Sequence, residues 1–328
     1  MSALATTPGQ SRPLAYLPVS LFGSVMGLTG LSIAWRLSHA RFGVSLAVAD
    51  GIALLAMLAF AAMTIGYLTK LVCAPDAVRA EFTHPITGSL FGTILISLVL
   101  LPIVIAPVSL VTARSLWIVG TLGMLGFAWL TVDRWMGNRQ AVVHATPAWN
   151  IPVVGLLDVP LAMPSLDLPP LHGLMVLCLA VGIFFAIPLF TTIFARLLFE
   201  APMPDPIQPT LMILVAPFAV GMSTYVTTIS GFDLFAECLY ALTLFILAVL
   251  IGRLRYVARC CPFRVAWWAV SFPLAACSIA SIRAASAFPS EVNDAVALFL
   301  LAGTTAIIAW LFARTVVGVM RGELRALI

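Results

Sequence analysis

Between Arg264 and Arg283 the chain reads Val265-Ala266-Trp267-Trp268-Ala269-Val270-Ser271-Phe272-Pro273-Leu274-Ala275-Ala276-Cys277-Ser278-Ile279-Ala280-Ser281-Ile282. Eighteen residues pass without an acid, a base or a histidine. That is close to the ~20 apolar residues an α-helix needs to cross the hydrocarbon core of a bilayer. The run is not alone. Apolar stretches of similar length, bounded by charges or Pro/Gly clusters, lie at about 17–35, 44–69, 87–108, 115–132, 150–165, 172–195, 209–229, 234–252 and 294–313. Ten spans are therefore predicted, with 265–282 as the ninth.

Composition points the same way. Of 328 residues, 62% are hydrophobic and 9% charged, against roughly 45–50% and 25% in soluble domains. Mean hydropathy is +1.10. Thirteen acids and 17 bases cannot cover two soluble domains of this length. Little chain remains outside the ten runs, so one transmembrane domain over 1–328 is expected, with short cytoplasmic tails at 1–16 and 314–328. The opening Met1 to Arg12 lacks the charged start and cleavage site of a secretory signal, so the first span reads as retained.

The bases sort by side. If the spans alternate, one face holds Arg12, Lys70, Arg79, Arg134, Arg139, Arg196, Arg253, Arg255, Arg259, Arg264, Arg314, Arg321 and Arg325, and the other only Arg36, Arg41, Arg114 and Arg283. Positive charge marks the cytoplasmic face, which places both termini there and the protein in the cell (inner or plasma) membrane. No dense basic block exists, which argues against a nucleic-acid partner. Six cysteines show no CxxC spacing, so neither a disulfide framework nor a metal site is expected; adjacent Cys260 and Cys261 read as reduced. The four histidines, His39, His84, His144 and His172, fall in loops or at span ends. Axial haem ligands are thus missing, as are GxSxG and HExxH. The expectation is a non-enzyme without cofactors.

Prolines divide the spans. Odd-numbered spans carry Pro18, Pro102, Pro107, Pro152, Pro160, Pro164, Pro217 and Pro273; even-numbered ones carry only Pro188. A proline in a helix frees a carbonyl, which in lipid needs a neighbouring helix or a watery cavity. Odd spans also hold the small and hydroxyl residues, among them Gly23, Gly27, Ser97, Ser223 and Ser271. These residues either let helices approach closely or line a polar axis. The predicted fold is all-α: five helical hairpins in quasi-fivefold arrangement, an inner ring of odd helices around a pore and an outer ring facing lipid.

At this point the residues resemble a known family. The run Trp267 to Ala275 is similar to the ninth-helix motif of the tellurite-resistance/dicarboxylate transporter family, which includes bacterial TehA channels, plant slow-type anion channels and fungal malate permeases. Val78-Arg79-Ala80-Glu81-Phe82 with His84-Pro85, Leu214-Val215-Ala216-Pro217, and more weakly Pro18 to Gly27, match in order. The resemblance implies a homotrimer with one voltage-independent pore per protomer, lined by the odd helices and plugged by a ninth-helix phenylalanine, which falls on Phe272. Kink or lining candidates are then Pro18, Gly23, Gly27, Ser97, Pro152, Asp158, Pro217, Ser223, Ser271 and Pro273. An apolar ring can gate by blocking or dewetting, and weak sites let ions leave. Small inorganic or carboxylate anions are the implied partners besides lipid.

Two departures stand out. In the third span this chain has a Ser/Leu run where the bacterial channels carry proline, with Pro102 displaced toward the far end. Asp158, in the fifth span, is an intramembrane carboxylate and so a functional candidate. It would lie solvated at the outer mouth, pair with Arg283, or carry a proton. The last keeps a proton-coupled transporter of C4-dicarboxylates, or export of tellurite or sulfite, open as the alternative.

Overall fold

The computed structural model describes residues 14–169, 171–260, 263–323 and 325, and for 254–260 the backbone alone. The ends of both predicted tails, and the Cys260–Cys261 side chains, lie outside the described residues. Every regular element among the described residues is helical. In chain order the α-helices are α1 (Phe22–Phe42), α2 (Leu46–Cys73), α3 (Pro75–Thr83), α4 (Gly92–Ile105), α5 (Leu110–Gly137), α6 (Ile151–Val154), α7 (His172–Phe199), α8 (Ala216–Ile229), α9 (Leu234–Cys260), α10 (Ser271–Ala287) and α11 (Glu291–Met320).

Two kinds of element alternate. Helices α2, α5, α7, α9 and α11 are continuous and 27 to 30 residues long. Each of α1, α4, α6, α8 and α10 is shorter and begins through a 3₁₀ segment: Val19–Leu21, Thr87–Phe91, Pro147–Asn150, Asp205–Val215 and Val265–Val270 respectively. The predicted prolines belong to these junctions. Pro217 and Pro152 sit in the first two residues of α8 and α6, and Pro18 precedes the first 3₁₀ turn. Pro273 is the third residue of α10. Pro152, Pro217 and Pro273 therefore sit at the change from 3₁₀ to α instead of in the middle of an α-helix. Pro102 differs, lying inside α4.

Among the described residues, eight segments are long and apolar enough to cross a membrane. In the apolar windows of the continuous helices 17–28% of residues are buried, against 61, 72 and 83% for Thr87–Ile105, Asp205–Ile229 and Val265–Ala287. Apolar surface left open on this scale faces hydrocarbon: this is an all-α, multi-pass membrane protein. The other two predicted spans fold differently. The first is α1 with its 3₁₀ start. The fifth is broken, with four-residue α6 followed by 3₁₀ turns Gly155–Asp158 and Pro160–Ser165.

Helix α1 packs closely on α10 through Gly27 and Gly30, and Gly23 faces Trp268 of the 3₁₀ segment preceding α10. A Cβ at Gly27 would fall 2.1 Å from Ser271 Oγ and 2.4 Å from its Cβ; one at Gly30 would meet the Ala275 Cβ at 2.9 Å. Both sides are helical and cannot yield locally. Gly27→Ala is therefore expected to lower stability by about 1–3 kcal/mol, read as melting in detergent. Ser271→Gly added to it should recover most of the loss; no recovery would place the strain elsewhere.

Candidate functional site

A cavity of about 310 Å³ is lined by residues from all five 3₁₀-started segments, and by none from α2, α5, α7, α9 or α11. Its wall repeats every third residue: Ser20, Gly23, Met26; Thr87, Leu90, Thr93, Ile96; Ile207, Thr210, Ile213, Ala216; and Ala266, Ala269, Phe272. A 3₁₀ helix has three residues per turn, so positions i and i+3 eclipse. The wall is mainly apolar, with hydroxyls from Ser20, Thr87, Thr93, Thr146 and Thr210, the Asn150 amide and Asp158.

Of the predicted residues, Pro18, Gly23, Asp158, Pro217, Phe272 and Pro273 line this cavity. Gly27, Ser97, Pro152 and Ser271 do not. Each is the chain neighbour of a lining residue (Met26, Ile96, Ile151 and Phe272) but is itself absent from the wall. Ser271 Oγ donates to the carbonyls of Trp268 at 2.7 Å and Gly23 at 3.3 Å, and Ser97 Oγ to the Thr93 carbonyl at 2.7 Å. Ser223 lies one turn past the last lining residue of α8, Val220. A list built from residue type mixes packing faces with cavity faces.

Phe272 is half-buried. Its ring lies over Gly30, where an added Cβ would sit 3.5 Å from Cδ2 and 3.8 Å from Cε2. Ser271 and Gly27 fix the backbone beneath it, and Trp268 ties the segment to α11 by donating Nε1–H to Thr315 Oγ1 at 2.9 Å.

Asp158 is 2% exposed, so it is not solvated at an outer mouth. Nor does it pair with Arg283. That guanidinium donates from Nη1 to the Ser223 carbonyl at 3.1 Å and Thr227 Oγ1 at 2.9 Å. Arg283 was expected in a loop; it lies inside α10, because Ala284 to Ala287 continue the helix. Lys70 and Arg196, likewise placed outside spans, are 3% exposed near the ends of α2 and α7.

Sequence reading quoted Glu81 and His84 only as parts of a motif. Glu81 Oε1 accepts from Val19 N at 2.8 Å, the first amide of the first 3₁₀ segment. Its Oε2 accepts from Tyr67 OH at 2.9 Å and Lys70 Nζ at 2.6 Å, while Lys70 also donates to the Leu17 carbonyl at 2.7 Å. His84 Nδ1 accepts from Ile86 N and Thr87 N, both at 3.2 Å, at the second segment. Helix starts leave N–H groups unsatisfied, and α3 and the turn after it supply acceptors for two of the five. The partners of Glu81 lie 62, 14 and 11 residues away, so no local pattern reveals them.

Residues 16–316 match the family model SLAC1, described as voltage-dependent anion channel. The chain belongs to the SLAC1 family. It is 26% identical over 309 residues to the S-type anion channel SLAH3 of Arabidopsis thaliana, covering 92% of this chain and 48% of that protein. It is 26% identical over 309 residues to the tellurite resistance protein TehA homolog of Haemophilus influenzae, covering 94% and 92%. An uncharacterized transporter of Methanocaldococcus jannaschii shares 28% over 282 residues, covering 78% and 81%. The chain spans about half the length of the Arabidopsis SLAH3 and SLAH2 channels. In this SLAC1-family chain the match runs through all five 3₁₀-started segments, and the family is one of channels and transporters.

Proposed function

We propose that the chain is an anion channel in which small inorganic or carboxylate anions move through the cavity of a single protomer and Phe272 closes the path. The observation that carries this reading is the cavity wall. Five separate segments line one cavity, four of them with a three-residue register, and Phe272 ends that register on the ninth span. Hydroxyl, amide and N–H groups suit an ion that must leave again, where a fixed arginine would hold it.

In this reading the ten segments form one domain over 1–328, odd inside and even outside, in five quasi-equivalent hairpins. Three protomers assemble, each with its own path. The excess of bases on one face, which survives the move of Arg283 into α10, supports cytoplasmic termini and a cell (inner or plasma) membrane.

The deciding experiment is anion flux through purified protein in liposomes, with chloride, nitrate, malate, sulfite and tellurite at several pH values and voltages. Anion-selective current with little voltage dependence is expected. Flux no greater than in protein-free vesicles overturns the reading. A second reading, proton-coupled transport of C4-dicarboxylates, is favoured by Asp158 in the cavity wall. It requires malate accumulation driven by a pH gradient alone, and malate that only equilibrates excludes it.

A further inference from the structure

Among the described residues Asp158 is the sole ionisable side chain on the cavity wall that Phe272 bounds. Its Oδ1 is buried with no hydrogen-bond partner among them, and it takes part in none of their ion pairs. It ends the turn Gly155–Asp158, held in place by Thr224 Oγ1 donating to the Leu157 carbonyl and Trp117 Nε1 donating to the Val159 carbonyl at 3.0 Å.

The turn packs against α4, α5, α6, α7, α8 and Pro160–Ser165, and none of their charged groups forms an ion pair with Asp158. Helices α4 and α6 and the following turn carry no titratable group. On α5, Arg114 donates to the Leu166 and Asp167 carbonyls, Arg134 to the Phe82 carbonyl, and Asp133 is exposed. On α7, His172 is exposed, while Cys178 and Arg196 are buried without a bond to Asp158. On α8, Tyr225 donates to Asp233 at 2.7 Å. Arg283, on α10, is bonded to α8.

An ionised carboxylate here has no ion-pair partner among the described residues, and it repels anions. The neutral acid costs far less to bury, and it carries one O–H donor in a wall where Thr87, Thr93 and Thr210 already donate to backbone carbonyls. We propose that Asp158, as the neutral acid, donates its O–H to a small anion in this cavity, so that one proton decides whether the cavity accepts or rejects the ion. This rests on the reading that anions enter the cavity.

Two measurements test it. Current is titrated from pH 5 to 9 for the full chain, Asp158→Asn and Asp158→Ala, each with and without Phe272→Ala. The parent current should fall about tenfold per pH unit above its midpoint, as a single titrating site dictates. Asp158→Asn, which keeps a neutral donor, should stay within about twofold across the range and near the parent's acidic level. Asp158→Ala should be equally flat and at least about fivefold lower. A parent curve flat over the range, or its slope surviving in Asp158→Asn, overturns the proposal. The second readout is the infrared C=O band of a protonated carboxylic acid in the reconstituted protein. It should vanish in Asp158→Asn and shift when chloride is added to anion-depleted vesicles. A band that is absent, or indifferent to chloride, overturns the proposal even if current flows. A chloride-sensitive band without current at any pH leaves Asp158 as an anion donor and removes the channel reading instead.

Discussion

Phe272→Ala is expected to raise anion current by at least about tenfold, the equivalent of roughly 1.4 kcal/mol off the barrier to passage. The ring ends the register Ala266, Ala269, Phe272 on the cavity wall, and its other face rests on the bare backbone of Gly30. Truncation to a methyl group removes the bulk of this side chain from the cavity wall and leaves that space unfilled. The backbone below should hold, since Ser271 anchors it to Trp268 and Gly23. The stability loss should fall below the 3–5 kcal/mol of a fully buried phenylalanine, because the ring is half-buried. Single-channel recording at fixed anion gradient separates a larger unitary current from a larger open fraction. Phe272→Trp should keep the path closed. An Ala variant that folds, assembles and conducts no more than the parent sinks the assignment.

The largest expected loss of stability comes from Glu81→Ala. One carboxylate accepts from the Val19 amide, the Tyr67 hydroxyl and the Lys70 ammonium. The side chains of Lys70 and Glu81 are 4% and 12% exposed. Removing one partner of a buried pair leaves the other charge uncompensated, at about 3–5 kcal/mol. The first 3₁₀ segment loses its amide acceptor in the same step. Lys70→Met should cost less, because Glu81 keeps two donors and greater exposure. Combining Glu81→Leu with Lys70→Met should recover part of the loss, as apolar replacement of buried pairs often does. Melting in detergent measures all three. A Glu81→Ala protein within about 0.5 kcal/mol of the parent would show the network to be dispensable.

Much of this architecture was legible in the sequence, but unevenly. The continuous helices follow from apolar runs alone, since lipid demands an unbroken apolar face. The prolines correctly singled out the odd segments, yet for a reason that only the backbone gives. Whether a carbonyl bonds the third or the fourth residue along depends on tertiary packing, so the 3₁₀ starts were invisible and the prolines read as kinks. Arg283 was misplaced because a charge was taken to end a span, whereas α10 continues through small residues. Asp158 was found as the odd charge; its solitude needed the fold. Glu81 was missed because its partners come from α2 and from the first 3₁₀ segment, outside any local pattern.

The broken fifth segment changes the ruler by which crossings are counted. Pro147–Asn150, Gly155–Asp158 and Pro160–Ser165 hold four, four and six residues of 3₁₀ helix. At about 2.0 Å of rise each, against 1.5 Å in an α-helix, the contour from Pro147 to Ser165 reaches about 35 Å instead of about 28 Å. A stretched coil therefore brings a run too short by α-helical count up to the ~30 Å hydrocarbon thickness. It does so with a slimmer cross-section, which frees room at the axis for something other than protein.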